Sequence, residues 1–322
     1  MDLHEQLTKH LTDVHAIEEQ ALQQMVVAPR MAGDRELAHA FREHLDETRD
    51  QERRVRERLT ARGADPSRVK DLAGRAGGVG MVLFARTQPD TPGKLVAHAY
   101  SYEHMEMAAY DLLALVAGRA GDADTAAMAR SIREQEAAMA DRLERGFDRA
   151  VEASLREVEP SDIGDQLVHY LQDAYAIESQ ALQLLEAAPA LAGDPELQKT
   201  FEDHLEETRA QQAAVEARLS AHDARPSRFK SALLRVGGIN LGGFFGAQPD
   251  TSAKLAGFAF AFEHLEVASY ELLRRVAERA GDDETARIAE RIASEERAAA
   301  AAVRSGFERA TETALDAQGA KT

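Results

Sequence analysis

The sequence predicts an all-α protein built from two tandem four-helix bundles, and three observations predict it. The chain of 322 residues is rich in Ala, Leu, Glu and Arg, which favour helices, whereas Trp is absent and aromatic residues make up only 5%. Apolar residues recur along four long segments at the spacing of amphipathic helices. The second half of the chain then repeats the first.

The repeat aligns at a constant offset of 160 residues, without insertion or deletion. The matching segments are DVHAIEEQALQ and DAYAIESQALQ, HLDETR and HLEETR, and YEHMEMAAY and FEHLEVASY, beginning in the first copy at Asp13, His44 and Tyr102. Pro160, which cannot continue a helix, marks the boundary between the copies. We therefore expect one domain at residues 1–158 and a second at residues 161–318.

Gly, Pro and Asp residues mark the helix ends of the first copy. The predicted helices run from about Asp2 to Ala28, where Pro29 stops the helix, from Asp34 to Arg62, from Pro92 to Arg119, and from Asp122 to Val158. The connection from Gly63 to Thr91 is long and contains a predicted short helix at Ser67 to Arg75. A connection of this length crosses a bundle from one end to the other, which gives the ferritin-like arrangement of two helical hairpins.

Acidic residues and one histidine interrupt the middle of the apolar stripes. In the first copy they are Glu18, His44, Glu47, Glu103, Glu106 and Glu136, and in the second copy Glu178, His204, Glu207, Glu263, Glu266 and Glu296. Counting residues from the helix ends places each set at one height of its bundle. Pairs spaced by three residues, such as Glu103 with Glu106, point the same way from a helix.

A metal centre is the interpretation that these acids favour. Burying an ionised carboxylate without a partner costs several kcal/mol, and the stripes carry no Lys or Arg. Two divalent ions would balance the charge, so we expect a dimetal site in each copy. The alternative is a structural role, in which the acids lie at helix boundaries or form surface ion pairs.

Two further pairs of equivalent residues are candidates for roles near the site. His104 and His264 lie off the centre of the stripe, so each is interpreted as a ligand, as a partner that orients a carboxylate, or as a helix–helix contact. Tyr110 and Tyr270 are interpreted as core packing rather than as radical sites.

Composition excludes several other functions. A net charge of −17 argues against binding to nucleic acids or to anionic membranes. The absence of Cys excludes disulfides, iron–sulfur clusters and thiolate zinc sites. The N-terminal segment lacks a signal-peptide core, and no apolar run is long enough to span a membrane. We expect a cytoplasmic protein.

HLDETR and HLEETR, followed by YEHMEMAAY and FEHLEVASY, resemble the motifs of bacterial ferritin-like stress proteins of the YciE/YciF type. AIEEQAL and AIESQAL resemble the first helix of that family. Each copy corresponds to one whole family domain, so the resemblance covers nearly the entire chain. It implies a ferritin-like bundle, a rubrerythrin-like dimetal site whose ligands are the twelve residues named above, dimerisation, and an association with stress responses.

One position departs from the pattern of related dimetal proteins. They often carry Glu-x-x-His on the fourth helix, whereas here Glu136 is followed three positions later by Met139, and Glu296 by Ala299. The predicted ligand set is therefore rich in carboxylates and poor in histidine. Such a set suits Fe or Mn, although Zn can occupy it in vitro.

Two functions remain open on the sequence. The first is a dimetal carboxylate protein that protects the cell under stress by oxidising Fe(II) or by reducing peroxide. The second is a non-catalytic structural or interaction module, associated with stress, in which metal only stabilises the bundle. No catalytic residue is assigned, and the enzyme class stays open.

The resemblance to a family whose members form dimers predicts that the two fused copies pack together as an internal pseudo-dimer. Small-angle scattering of the full chain should then give the radius of gyration of one compact particle. A radius that matches two extended, separated bundles would contradict this arrangement.

Overall fold

The computed structural model describes residues 2–64, 91–227 and 250–319. The chain divides into two compact units, Met1–Ser154 together with Gln318–Thr322, and Leu155–Ala317. The short helix predicted at Ser67 to Arg75 lies outside the described residues, as does most of the predicted connection around it.

The described residues are helical and contain no strand, which confirms the all-α prediction. The helices of the first copy are α1 Leu3–Met31, α2 Arg35–Ala61, α3 Thr91–Arg119, α4 Ala123–Arg145 and α5 Phe147–Leu155. A 3₁₀ turn at Pro160–Asp162 leads into the second copy, whose helices are α6 Ile163–Leu191, α7 Pro195–Ala221, α8 Thr251–Ala280, α9 Asp283–Ser305 and α10 Phe307–Ala317. In the parts of the chain that are described, no helix combines the length and the apolar character needed to cross a membrane.

Contacts at the helix ends establish the topology of the first bundle. One apolar cluster joins Leu7 at the start of α1, Leu59 at the end of α2, Leu113 and Val116 at the end of α3, and Ala129 near the start of α4. Helices α1 and α2 are therefore antiparallel, and so are α3 and α4, whereas α2 and α3 run parallel. The end of α2 and the start of α3 therefore lie at opposite ends of the bundle, which is the placement that the predicted crossover requires.

The opposite end of the bundle is closed around the turn between α1 and α2. Gly33 in this turn has φ of +67°, and a Cβ there would lie 2.9 Å from Cγ of Pro92 and 3.1 Å from Cβ of Ala153. The backbone N–H of Gly93 donates to the Ser154 hydroxyl at 2.9 Å. The starts of α2 and α3 and the end of α5 therefore meet at one point, which fixes the heights of these helices relative to one another.

The first helix does not stop at Pro29, contrary to the prediction. Pro29 lies in the last turn of α1, where its missing N–H removes only one hydrogen bond. The next turn is closed by Ala32, whose N–H donates to the carbonyl oxygen of Ala28 at 3.0 Å. The helix therefore runs one turn further, to Met31, and α6 likewise continues past Pro189 to Leu191.

The fourth predicted helix is two helices, α4 and α5, and it ends at Leu155 rather than at Val158. The break falls at Gly146, where an added Cβ would lie 2.6 Å from Cδ2 of Leu37 on α2. Only glycine permits this close approach without a shift of Leu37. Gly306 marks the same break between α9 and α10.

A partly buried ion-pair cluster holds α2 against α4 at the end of the bundle far from Gly33. Asp122 caps α4 by accepting from the Thr125 N–H at 3.0 Å, and it also accepts from Arg58 at 2.6 Å and Arg62 at 3.0 Å. Burial opposes ionisation of Asp122, but the hydrogen bonds from Thr125 and the charge of Arg58 lower its pKa to about 2. Asp282 repeats this arrangement in the second copy.

A substitution at Gly33 would have two costs, steric overlap of the new Cβ and strain from a left-handed φ, and a comparison with Gly121 separates them. Gly121 also has a left-handed φ, of +70°, but an added Cβ there meets no described atom within 4 Å. We expect Gly121→Ala to lower the free energy of unfolding by about 1 kcal/mol, and Gly33→Ala by about 2–3 kcal/mol because it adds steric overlap. Urea unfolding measures both, and equal losses would show that the turn relaxes around the methyl group.

Candidate metal centre

Four predicted site residues converge in the middle of the first bundle. His44 on α2, Glu103 and Glu106 on α3, and Glu136 on α4 each offer one ligand atom, and these four atoms lie within 4.8 Å of one another. All four side chains are buried. Nε2 of His44 lies 3.2 Å from Oε2 of Glu103 and 3.5 Å from Oε2 of Glu136. Carboxylate oxygens of Glu103 and Glu136 therefore lie at the Nε2 edge of the imidazole.

The second bundle repeats the cluster with His204, Glu263, Glu266 and Glu296. Nε2 of His204 lies 2.9 Å from Oε2 of Glu263 and 3.3 Å from Oε2 of Glu296. Each of these side chains is buried as well. Two clusters with the same residue types at the same depth thus occur in one chain.

Helix geometry accounts for the convergence. Glu103 and Glu106 are one turn apart on α3 and share a face. Thr48 lies one turn beyond His44 on α2, and its hydroxyl donates to the His44 carbonyl oxygen at 2.8 Å, so the hydroxyl is satisfied within its own helix. Because α2 and α3 run parallel and α4 runs antiparallel to α3, residues near the middle of all three helices meet at one level.

The carboxylates of the cluster are under-satisfied. Both oxygens of Glu103, Glu106 and Glu136 are buried and accept no hydrogen bond from any described residue, and the same holds for Glu266 and Glu296 in the second copy. No Lys or Arg in the described part of the chain donates to these oxygens. A buried polar atom without a partner is rare and calls for a physical explanation. A donor set of carboxylate oxygens and one imidazole fits Fe or Mn ions.

Burial and mutual repulsion oppose ionisation of Glu106 and Glu136. The pKa of Glu106 is raised well above its usual value by burial and by the charges of Glu136, Glu18 and Glu103. Burial together with Glu103 raises the pKa of Glu136 in the same way. Burial disfavours the His44 imidazolium, but the negative charge of Glu103 outweighs it and raises the pKa of the imidazole.

Glu18 lies beside the cluster rather than within it. Its side chain on α1 is fully buried, and one carboxylate oxygen accepts a hydrogen bond from the Tyr110 hydroxyl, whereas the other has no partner among the described residues. Burial raises the pKa of Glu18 to about 8, against the opposing effects of Tyr110 and His44. Glu178 and Tyr270 repeat this pair.

The hydroxyl of Tyr110 is a site contact that the sequence interpretation missed. Tyr110 is buried, as a core residue would be, but its hydroxyl is directed at a candidate ligand. The available signal was its position, one turn after Glu106 on the same stripe of α3.

Glu47 contacts the opposite edge of the His44 ring. Its Oε2 lies 3.0 Å from Nδ1 of His44, and its side chain is 33% exposed. Glu207 is placed similarly, 3.2 Å from Nδ1 of His204, and is 58% exposed. A carboxylate at Nδ1 fixes the tautomer and directs Nε2 into the cluster. Metal ligation by Glu47 and Glu207 stays a prediction.

His104 and His264 do not belong to the clusters. Nδ1 of His104 lies 2.7 Å from the carbonyl oxygen of Tyr100, and the two rings pack with centroids 4.5 Å apart. His264 has the same relation to Phe260. These contacts lie within the helix of each histidine, and the three roles considered for His104 and His264 stay predictions.

A family model described as "Domain of unknown function (DUF892)" matches residues 2–156 and again residues 162–316. The chain belongs to this family. It consists of two DUF892 domains in tandem. No curated protein matches the chain. The crystal structure of a protein from Xanthomonas campestris pv. campestris is 31% identical, covering 49% of this chain and 99% of that one, with a TM-score of 0.41.

The two DUF892 domains differ in the residues next to their clusters. In the first domain, Nε2 of buried His15 lies 3.0 Å from Oε1 of Glu52, and the hydroxyl of Tyr102 donates to the Ile17 carbonyl oxygen at 2.9 Å. The equivalent positions in the second domain are Tyr175, Gln212 and Phe262. The clusters have thus been retained while their surroundings diverged.

The raised pKa values predict how the metal-free protein responds to pH. In the folded chain Glu18 keeps its proton up to a pKa of about 8, whereas the value without these interactions is 4.5. The folded state therefore binds more protons than the unfolded state in this window, and the free energy of unfolding falls as pH rises. Raised pKa values of Glu106 and His44 act in the same direction.

We expect the Tm of chelator-treated protein to fall by several degrees between pH 5 and pH 8. The double variant Glu18→Gln with Glu178→Gln should flatten this dependence, since an amide does not titrate. Scanning calorimetry across the pH range measures both proteins. A Tm that is constant or rises over this range would contradict the protonated state of the buried acids.

Proposed function

We propose that each DUF892 domain of this chain holds a dinuclear iron or manganese centre. The ligands in the first domain would be His44, Glu103, Glu106 and Glu136, with Glu18 completing the set from α1; their counterparts would serve the second domain. The observation that carries this proposal is the pair of buried clusters whose carboxylate oxygens accept no hydrogen bond from the described residues.

Electrostatic magnitudes favour metal over an empty acidic core. Removing an ion from water costs several kcal/mol even after relaxation, and each bundle gathers four buried glutamates around one imidazole. Protonation would neutralise these acids and let them donate to one another, but each acid gains only one O–H, so most of their oxygens would still lack a donor. Two divalent ions would supply about four positive charges and would bind those oxygens directly.

The surrounding residues would orient the ligands. The Tyr110 hydroxyl holds one oxygen of Glu18, which leaves the other oxygen without a described partner. Glu47 holds Nδ1 of His44 and so directs Nε2 towards the carboxylates. Apolar layers on either side, such as Phe41 and Ile132, are fully buried and exclude water from the cluster.

The proposed chemistry is oxidation of Fe(II) or reduction of peroxide. When bound, a dinuclear iron or manganese centre supplies the redox capacity that such reactions need. The resemblance to YciE/YciF-type stress proteins supports a protective role under stress, in the cytoplasm. The contrasting possibility, a non-catalytic module in which metal only stabilises the bundle, is an outcome of the experiment below.

The first test is elemental analysis of full-length protein purified without a histidine tag and without added metal. We expect about four Fe or Mn ions per chain, two in each domain. The double variant Glu18→Ala with Glu178→Ala should abolish stoichiometric binding because it removes one carboxylate from each centre.

A matched control is Asp46→Asn with Glu206→Gln, which removes one acid from each copy at exposed positions on α2 and α7, the helices that carry His44 and His204. This control should retain its metal. Metal-loaded protein should also consume peroxide or oxidise added Fe(II). Stabilisation by metal without turnover would favour the non-catalytic module, and stably folded protein that refuses Fe(II) and Mn(II) would falsify the metal-centre proposal.

A further inference from the structure

A positive charge lies at the rim of the first cluster and is replaced by an apolar residue at the second. In the first domain, Arg142 on α4 reaches Glu47, and its Nη2 lies 3.2 Å from both Oε1 and Oε2 of that carboxylate. Its Nη1 lies 3.7 Å from Oε2 of Glu43. The equivalent position in the second domain is Ala302. No Lys or Arg in the described part of the chain pairs with Glu207, the counterpart of Glu47.

The carboxylate that contacts the histidine is also less exposed in the first domain than in the second. The Glu47 side chain is 33% exposed beneath Arg142, whereas that of Glu207 is 58% exposed. Both carboxylates touch Nδ1 of their histidine, at 3.0 Å and 3.2 Å. The orientation of the imidazole is therefore common to both domains. What differs is the positive charge and the restraint that Arg142 places on the carboxylate.

We propose that Arg142 makes the two centres unequal, so that the first domain binds its divalent ions more weakly than the second. This inference rests on the proposed function. Arg142 is a positioning residue in this scheme: it holds Glu47 at the rim. Glu207 keeps the same contact with its histidine but has no guanidinium of a described residue beside it, so its negative charge is not offset.

The difference in charge at the rim sets the direction of the effect. In the first domain the guanidinium neutralises Glu47, while in the second domain Glu207 adds a full negative charge beside the cluster. The attraction for a divalent ion is therefore greater in the second domain, and partial exposure limits the difference to about tenfold in affinity. Holding a histidine ligand in place normally raises metal affinity. This effect does not favour either domain, because a carboxylate holds the histidine in both.

Other residues near the clusters also differ, so position 142 must be isolated by exchange. His15 and Glu52 lie beside the first cluster, whereas Glu295 replaces Gln135 beside the second. Arg142→Ala gives the first domain the residue of the second, and Ala302→Arg does the reverse. Each exchange leaves every other difference between the domains in place.

The experiment measures Mn(II) binding to the full chain by titration calorimetry, with one centre silenced at a time. The second centre is silenced by Glu263→Gln, Glu266→Gln and Glu296→Gln, which keep the shape of the side chains and remove their charge. In this background we expect Arg142→Ala to lower the Kd for Mn(II) about tenfold. Arg142→Gln, which keeps part of the side-chain packing, should act in the same direction.

The reciprocal background silences the first centre by Glu103→Gln, Glu106→Gln and Glu136→Gln. Here Ala302→Arg should raise the Kd for Mn(II) by a similar factor. An unchanged or increased Kd with both Arg142→Ala and Arg142→Gln would overturn the inference while leaving the metal centres intact. An absence of Mn(II) and Fe(II) binding in either background would instead remove the proposed function, and this inference with it.

Discussion

The repulsion among buried carboxylates is the constraint on which the rest of each bundle depends. Glu18, Glu103, Glu106 and Glu136 lie together where solvent does not reach, with one imidazole among them. Their charges can be tolerated only if protons or cations are held in a fixed arrangement. The fold must therefore keep four helices at constant relative heights, since a shift of one helical turn would move an acid into an apolar layer.

Contacts at both ends of the first bundle fix the relative heights of its helices. At one end, the turn at Gly33 brings α1, α2, α3 and α5 together in a space too small for a Cβ atom. At the other end, Asp122 caps α4 and joins it to two arginines of α2. The cluster lies between these two fixed ends, so its geometry is maintained by contacts that do not touch it.

The sequence predicted most of this because its main signals are periodic and duplicated. The apolar stripes predicted the helices, and the polar residues that interrupt the stripes predicted the depth of the acids. Comparison of the two copies distinguished the residues that are the same in both from those that differ. The errors arose where tertiary contacts override local rules. Pro29 is accommodated because in the last turn of α1 its missing N–H costs only one hydrogen bond. Gly146 ends α4 because Leu37 approaches it from another helix. Arg142 escaped notice because it lies beside the stripe, and only the structure brings it to Glu47.

The tandem arrangement has a consequence for symmetry. In a homodimer a substitution beside one centre is necessarily copied at the other, so the two centres remain identical. A single chain that carries both domains is not restricted in this way. Tyr102 in the first domain corresponds to Phe262 in the second, and Arg142 corresponds to Ala302. Every molecule then contains the two kinds of cluster in a one-to-one ratio that neither expression level nor subunit exchange can alter.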